Sequence, residues 1–242
     1  MQQPSGESRR SVWPYIGVGC LVVTLTLVIG VCGLAYYGMR GAKKFAEQFR
    51  DPEKRRERVI ELLGAGDLPE GYEPVVAMSV PFALDMAVIG DAVPNENGKI
   101  EEFGDHAFIY LSLNGSLVRG DDAERLDRFF AGQEGGGLDN DTIRIDNVDL
   151  SRGELLGTAQ AETRGNPVDV VALKVQVKTR SGWEPRLLSA LRIRCRGDAR
   201  VRLGLWFEPL SGGDPGPPPD LAGTNADPAR IGPFLDRFAL CP

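Results

Sequence analysis

The stretch Val201-Arg-Leu-Gly-Leu-Trp-Phe207 sets Val201, Leu203, Leu205 and Phe207 on one side of an extended chain and Arg202, Gly204 and Trp206 on the other. Successive side chains of a strand point to opposite faces, so this alternation predicts a strand with one apolar face. Just upstream, Leu191, Ile193 and Cys195 alternate with Arg192, Arg194 and Arg196 in a second strand, Leu187–Cys195, which puts Cys195 on the buried face. A third, Val168–Lys178, sets Asp169, Val171, Leu173, Val175 and Val177 against Lys174, Gln176 and Lys178. Further strands are expected near Pro74–Val80, Ala83–Ile89, Ala107–Leu113, Thr142–Val148 and Glu154–Thr163. Period-two patterning with polar outer faces predicts a mainly antiparallel sheet, wet on one side.

Helical signals punctuate these strands. Asp51-Pro52-Glu53 supplies an N-cap, a proline at the first helical position and an early acid, and Gly64 a stop, which predicts a helix over Pro52–Leu63. Asp122 is the expected cap of a helix over Ala123–Ala131 with an apolar stripe of Leu126, Phe129 and Phe130. Asp227-Pro228 opens a last helix running to about Leu240, with Ile231, Phe234, Leu235 and Phe238 on the face packed against the sheet. Arg164-Gly-Asn-Pro167 reads as a hairpin turn, and Leu210–Gly223, rich in proline and glycine, as an exposed loop. The fold class is therefore α+β: one domain over residues 65–242, with a C-terminal helix on a mainly antiparallel sheet.

The N-terminal part of the 242-residue chain reads differently. Residues 1–12 form a polar tail expected to be disordered. No charged residue occurs from Trp13 to Gly38, where Ile16–Ala35 is almost wholly apolar. About 20 residues of helix cross the hydrocarbon of a bilayer, so residues 13–38 are expected to be a single transmembrane helix and signal anchor. Trp13 and Tyr15 at one end, and Tyr36 and Tyr37 at the other, suit the two headgroup zones. Residues 39–64 form a basic juxtamembrane segment, in which Lys43, Lys44, Arg55 and Arg56 are candidate contacts to anionic lipid.

Two arguments on orientation conflict. The basic residues after the apolar stretch outnumber Arg9 and Arg10 before it, which favours a cytoplasmic domain. Cys195 on a strand and Cys241 at the end of a helix form a candidate disulfide that would staple helix to sheet, which favours an oxidising compartment. A short arginine-bearing tail before a first helix is also common in exported proteins. The domain is read as extracytoplasmic, on a single-pass membrane protein.

Chemistry is sparse. The net charge of -6, and a strongly acidic chain from Glu61 onward, exclude nucleic acid, whose binding rests on neutralising phosphates. One histidine, His106, and no G-x-S-x-G elbow leave no nucleophile triad. The acids of Leu138–Asp149 lack the glycine and closing glutamate of a calcium loop. No C-x-x-C occurs. The expectation is no catalytic set, no metal and no cofactor.

The layout of short tail, single span and one small α+β domain resembles bitopic envelope proteins of bacteria. The strand-rich body closed by a C-terminal helix is similar to PsbP-like α/β/α sandwiches; no motif carries a functional residue across. The expected function is a non-enzymatic, membrane-anchored binding or assembly domain of the bacterial cell envelope with an unidentified protein partner. Trp183 and Trp206 are its candidate contact surface. The alternative is a membrane-tethered hydrolase using carboxylates or a Ser/Lys pair.

Overall fold

The structure is a computed structural model, and it describes residues 51–91, 104–118, 120–133, 148–179, 182–210 and 221–241, with backbone alone at 148–152 and 178–179. The apolar stretch 13–38, Lys43 and Lys44 of the basic segment and most of the acid-rich 138–149 stretch lie outside these residues. Among the described residues no helix is long and apolar enough to cross a membrane.

In chain order the elements are α1 (Pro52–Leu63), β1 (Glu73–Val80), β2 (Leu84–Gly90), β3 (Ala107–Leu113), α2 (Asp121–Phe130), β4 (Val148–Thr163), β5 (Asn166–Thr179), β6 (Gly182–Ile193), β7 (Val201–Pro209) and α3 (Pro228–Leu235). Among the described residues the strands make one seven-stranded sheet in the order β1-β2-β3-β7-β6-β5-β4. Every neighbouring pair is antiparallel, as the alternation predicts. The β4–β5 hairpin closes through Arg164 and Gly165, both at positive φ, the conformation of a two-residue primed turn.

The sheet is not wet on one side. Residues opposite one another across the ladder share a face: Val88, Ile109, Leu205, Ala190 and Val171 form one apolar row. The adjacent row on the other face runs from Ala87 through Tyr110, Gly204 and Leu191 to Val170, and is equally buried. Phe129 and Phe130 of α2 join the first face. Val59 and Leu63 of α1 and Ile231, Phe234 and Leu235 of α3 cover the second. The polar set of β7 is therefore buried too. Trp206 is 2% exposed and stacks on Phe234 at a centroid distance of 3.9 Å. At Gly204 a Cβ would come within 2.9 Å of the Phe108 ring, so the absence of a side chain lets that ring lie on the strand.

Helix boundaries follow their partners. Asp51 accepts from the Glu53 and Lys54 backbone N–H groups, and Gly64 ends α1 in the left-handed region, as the sequence predicts. Arg55, Val59 and Leu63 fall at i, i+4 and i+8 on the buried stripe, so Arg55 is buried where the sequence reading expected it at a headgroup surface. Arg56 is exposed and pairs with Asp67. The N-cap of α2 is Gly120 rather than Asp122; Asp121, Asp122 and Glu124 occupy its first turn, where the helix dipole favours acids. The last helix stops at Leu235 instead of Leu240. Beyond it Ala239 donates its N–H to the Leu63 carbonyl at 3.0 Å, satisfying an acceptor that the end of α1 leaves open. This turn carries Cys241 to Cys195; the two are joined, with Cα atoms 5.4 Å apart.

Tyr72 reports on this packed face. Its hydroxyl accepts from Trp206 Nε1 at 2.8 Å, and burial pushes its pKa from 10.0 up to about 12. The folded chain therefore holds that proton where the unfolded chain has lost it, so stability falls as pH rises from about 10 towards 12. We expect the alkaline loss of the denaturant midpoint to be shallower in Tyr72→Phe; an unchanged slope would rule out this phenol as its source.

Candidate functional site

Two polar clusters sit at opposite ends of the sheet, and their hydrogen-bond balance separates them. The first lies around the C-terminal end of β7. Glu208 receives Arg230 through Nη2 and Nη1 at 3.0 and 3.3 Å and the Asn225 backbone N–H at 3.0 Å. Asn225, fully buried, donates through Nδ2 to the Trp206 carbonyl at 2.6 Å and accepts from Ser189 Oγ at 3.2 Å. His106 stands at the rim, its Nδ1 4.0 Å from Glu208. Each group meets a partner in the same cluster, and Ser189 is fully buried. This is a clasp that fixes the 221–230 segment and α3 to the sheet; it leaves its serine no access to a substrate.

The second cluster is a cleft of about 290 Å³ between α2 and the β6–β7 connection. Four arginines line it: Arg192, Arg194, Arg200 and Arg202. Their placement follows from the strand period. Arg192 is opposite Leu203 on the α2 face, and Arg202 is opposite Ile193 on the other, so the strands deliver arginines from both faces to one end of the hairpin. Asp127 and Asp198 also line the cleft, with Val118, Ala123, Leu126 and Val201 as its apolar walls.

Each arginine has an aspartate. Arg192 bonds Asp127 and, through Nε at 2.9 Å, Asp169. Arg194 bonds Asp169 at 2.7 Å. Arg200 bonds Asp85 at 2.7 Å and the Ser112 carbonyl at 2.9 Å. Arg202 bonds Asp198 through Nη2. That bond, with the Arg200 backbone N–H, holds the Asp198 carboxyl below the usual carboxylate range. Burial pushes the neighbouring Tyr110 phenol up, against smaller opposing pulls from Arg202 and Ser112. Arg192 also lies 4.8 Å from the centre of the Phe130 ring, which desolvates one face of its guanidinium.

The charges balance, but the donors do not. Arg202 is 5% exposed, and its Nε and Nη1 have no hydrogen-bond partner among the described residues; nor has Arg200 Nε. These nitrogens have almost no accessible surface, so they are sealed inside the wall and do not open onto the cleft.

Of the residues the sequence singled out, Cys195 lines this cleft, and its bond to Cys241 anchors the connection there. Trp206 is in the core and is not a contact residue. Trp183 is 55% exposed but sits at the β5–β6 turn, the opposite end of the sheet. Sequence reasoning missed Phe82, 91% exposed at φ 62 in the β1–β2 turn, and Leu117, 58% exposed after β3. Asn114 ties that end together, donating through Nδ2 to the Phe82 carbonyl and accepting from Leu117 N–H. The signal was a phenylalanine directly after a proline in a turn. No group of three His, Cys, Asp or Glu side chains among the described residues is placed to hold a metal ion. The chain matches no family model and no curated protein.

Proposed function

We propose that this chain is a membrane-anchored binding or assembly domain of the bacterial cell envelope, held to the bilayer by residues 13–38, whose contact site is the arginine-lined cleft. The convergence of Arg192, Arg194, Arg200 and Arg202 on one cleft carries the reading, because arginine is the residue suited to paired, interface contacts with a partner's acceptors. Two further features support it. Exposed Phe82 and Leu117 stand at the same end of the sheet, where large apolar side chains in water mark a contact surface. The Cys195–Cys241 bond suits an extracytoplasmic domain.

The test joins topology to contact. Reporter fusions after Gly41 and after Pro242 should both be active only outside the cytoplasm. In the full-length chain, a photo-cross-linking residue at Ala123, in the wall of the cleft, should give a discrete adduct in cells. The same residue at Asp122, on the exposed side of α2, should give none. Cytoplasmic reporters would sink the localisation, and matching adducts at both positions would sink the contact site.

A further inference from the structure

We infer that the β5–β6 hairpin sets Trp183 in the headgroup zone of the bilayer that holds residues 13–38, so that the arginine cleft is turned away from the lipid. This rests on the anchor proposed above and goes further by naming a second lipid contact and the end of the sheet that makes it.

The first ground is where Trp183 stands. Glu73, Gly90, Ala107, Phe207 and Leu188 face one another across the ladder and mark the level at which β1 starts, β2 ends and β3 starts. β6 runs on past that level. Trp183 is five residues beyond Leu188, and β7 follows only as far as the Pro209–Arg186 pair. At the tip β6 keeps β5 alone as a neighbour among the described residues, with Lys178 opposite Trp183. Trp183 is 55% exposed, and Pro185, the next residue on its face, is exposed too.

The second ground is chemistry. Tryptophan joins a large apolar ring to one N–H donor, and it is enriched where hydrocarbon meets water. The sequence Lys178-Thr-Arg-Ser-Gly-Trp183 carries two basic residues and no acid, a composition that anionic headgroups attract. Glu184, next in the chain, is paired with Arg186 at 3.0 Å.

The third ground is where the chain enters the domain. Ala239 donates to Leu63, and Cys241 meets Cys195, so α1 ends toward the β6–β7 connection. The segment after it turns back along the helix: Asp67 pairs with Arg56, and Tyr72 reaches Trp206 in the second half of β7. α1 therefore opens toward the end of the sheet where Trp183 stands. Counting in twos from Trp183 gives Leu187, Ser189 and Leu191, the face that α1 covers. Residues 39–50 join α1 to the apolar stretch, a reach of at most roughly 40 Å. A short tether holds an effective concentration of about millimolar, so a contact too weak for a free domain is occupied here.

The experiment labels the full chain with fluorotryptophan and places it in phosphatidylcholine–phosphatidylglycerol nanodiscs. A lipid with a nitroxide near its headgroup is then added. Trp13→Phe and Trp183→Phe assign the fluorine signals, leaving Trp206 by difference. The nitroxide should broaden away the Trp13 and Trp183 signals and leave most of the signal of Trp206, 2% exposed in the core. Phe82→Trp adds a label in the β1–β2 turn at the opposite end of the sheet, and its signal should persist. A sharp Trp183 signal beside a broadened Trp13 would overturn the inference and leave the anchor standing. A sharp Trp13 signal would overturn the anchor and the inference together. A Phe82→Trp signal broadened as strongly as that of Trp183 would show a domain lying on the lipid with no preferred end, and would overturn the inference as well.

Discussion

Replacing Cys241 by serine should lower the stability of the full chain by about 4 kcal/mol, the loop-closure value for a sequence separation of 46. The physical reason lies mainly in the unfolded chain, which regains the conformations that the bond denies it. The folded chain loses less, because Ala239 still donates to Leu63 and Phe238 and Leu240 stay buried against the sheet. The denaturant midpoint should therefore fall with little loss of native structure. Wild type under reductant should fall by the same amount, and reductant should leave Cys241→Ser unmoved. Two thiols that titrate freely in the folded, unreduced chain would end this account, and with it the argument for an oxidising compartment.

Glu208→Ala should cost about 3 kcal/mol, and Arg230→Met clearly less. The asymmetry comes from what each change strands. Glu208 is 8% exposed and accepts from both Arg230 and the backbone of Asn225. Its removal leaves the fully buried Asn225 N–H without an acceptor. Arg230 keeps 42% of its side chain exposed, so water can solvate it once the pair is gone. With Arg230 removed, Glu208 still receives the Asn225 N–H. Hydrogen exchange in the 221–230 segment should speed up far more in Glu208→Ala than in Arg230→Met. Equal costs for the two substitutions would show that the ion pair, not the buried amide, holds the clasp.

The sheet was legible where one residue's neighbours along the chain carry the information. Val201–Phe207 alternates, and the strand it predicts is β7 in the middle of the sheet. Asp51, Pro52 and Gly64 bound α1 because caps act within a turn or two of their own backbone. Cys195 could be placed on a buried face by counting in twos, and Cys241 was the other cysteine outside the apolar stretch.

The contact site was less legible. Alternation says that the two faces differ, not that the second is bare. Trp206 reads as an outward residue until Phe234 of α3 covers it, and Arg55 reads as a headgroup contact until α1 turns its stripe inward. For β5 a hint was present: Val168, Val170, Val171, Ala172 and Leu173 make a near-continuous apolar run, the mark of burial on both faces.

By itself the sequence determined the α+β class, the antiparallel strands, the caps of α1 and an apolar stretch long enough for a bilayer, since each is written in local period, composition or spacing; it offered Cys195 and Cys241 only as a candidate pair, which the structure joins. Only the tertiary structure decided that both faces of the sheet are covered and that Arg192, Arg194, Arg200 and Arg202 meet α2 around one cleft. Strand register and helix docking set which distant residues become neighbours, and a donor is orphaned only by what fails to stand beside it in space.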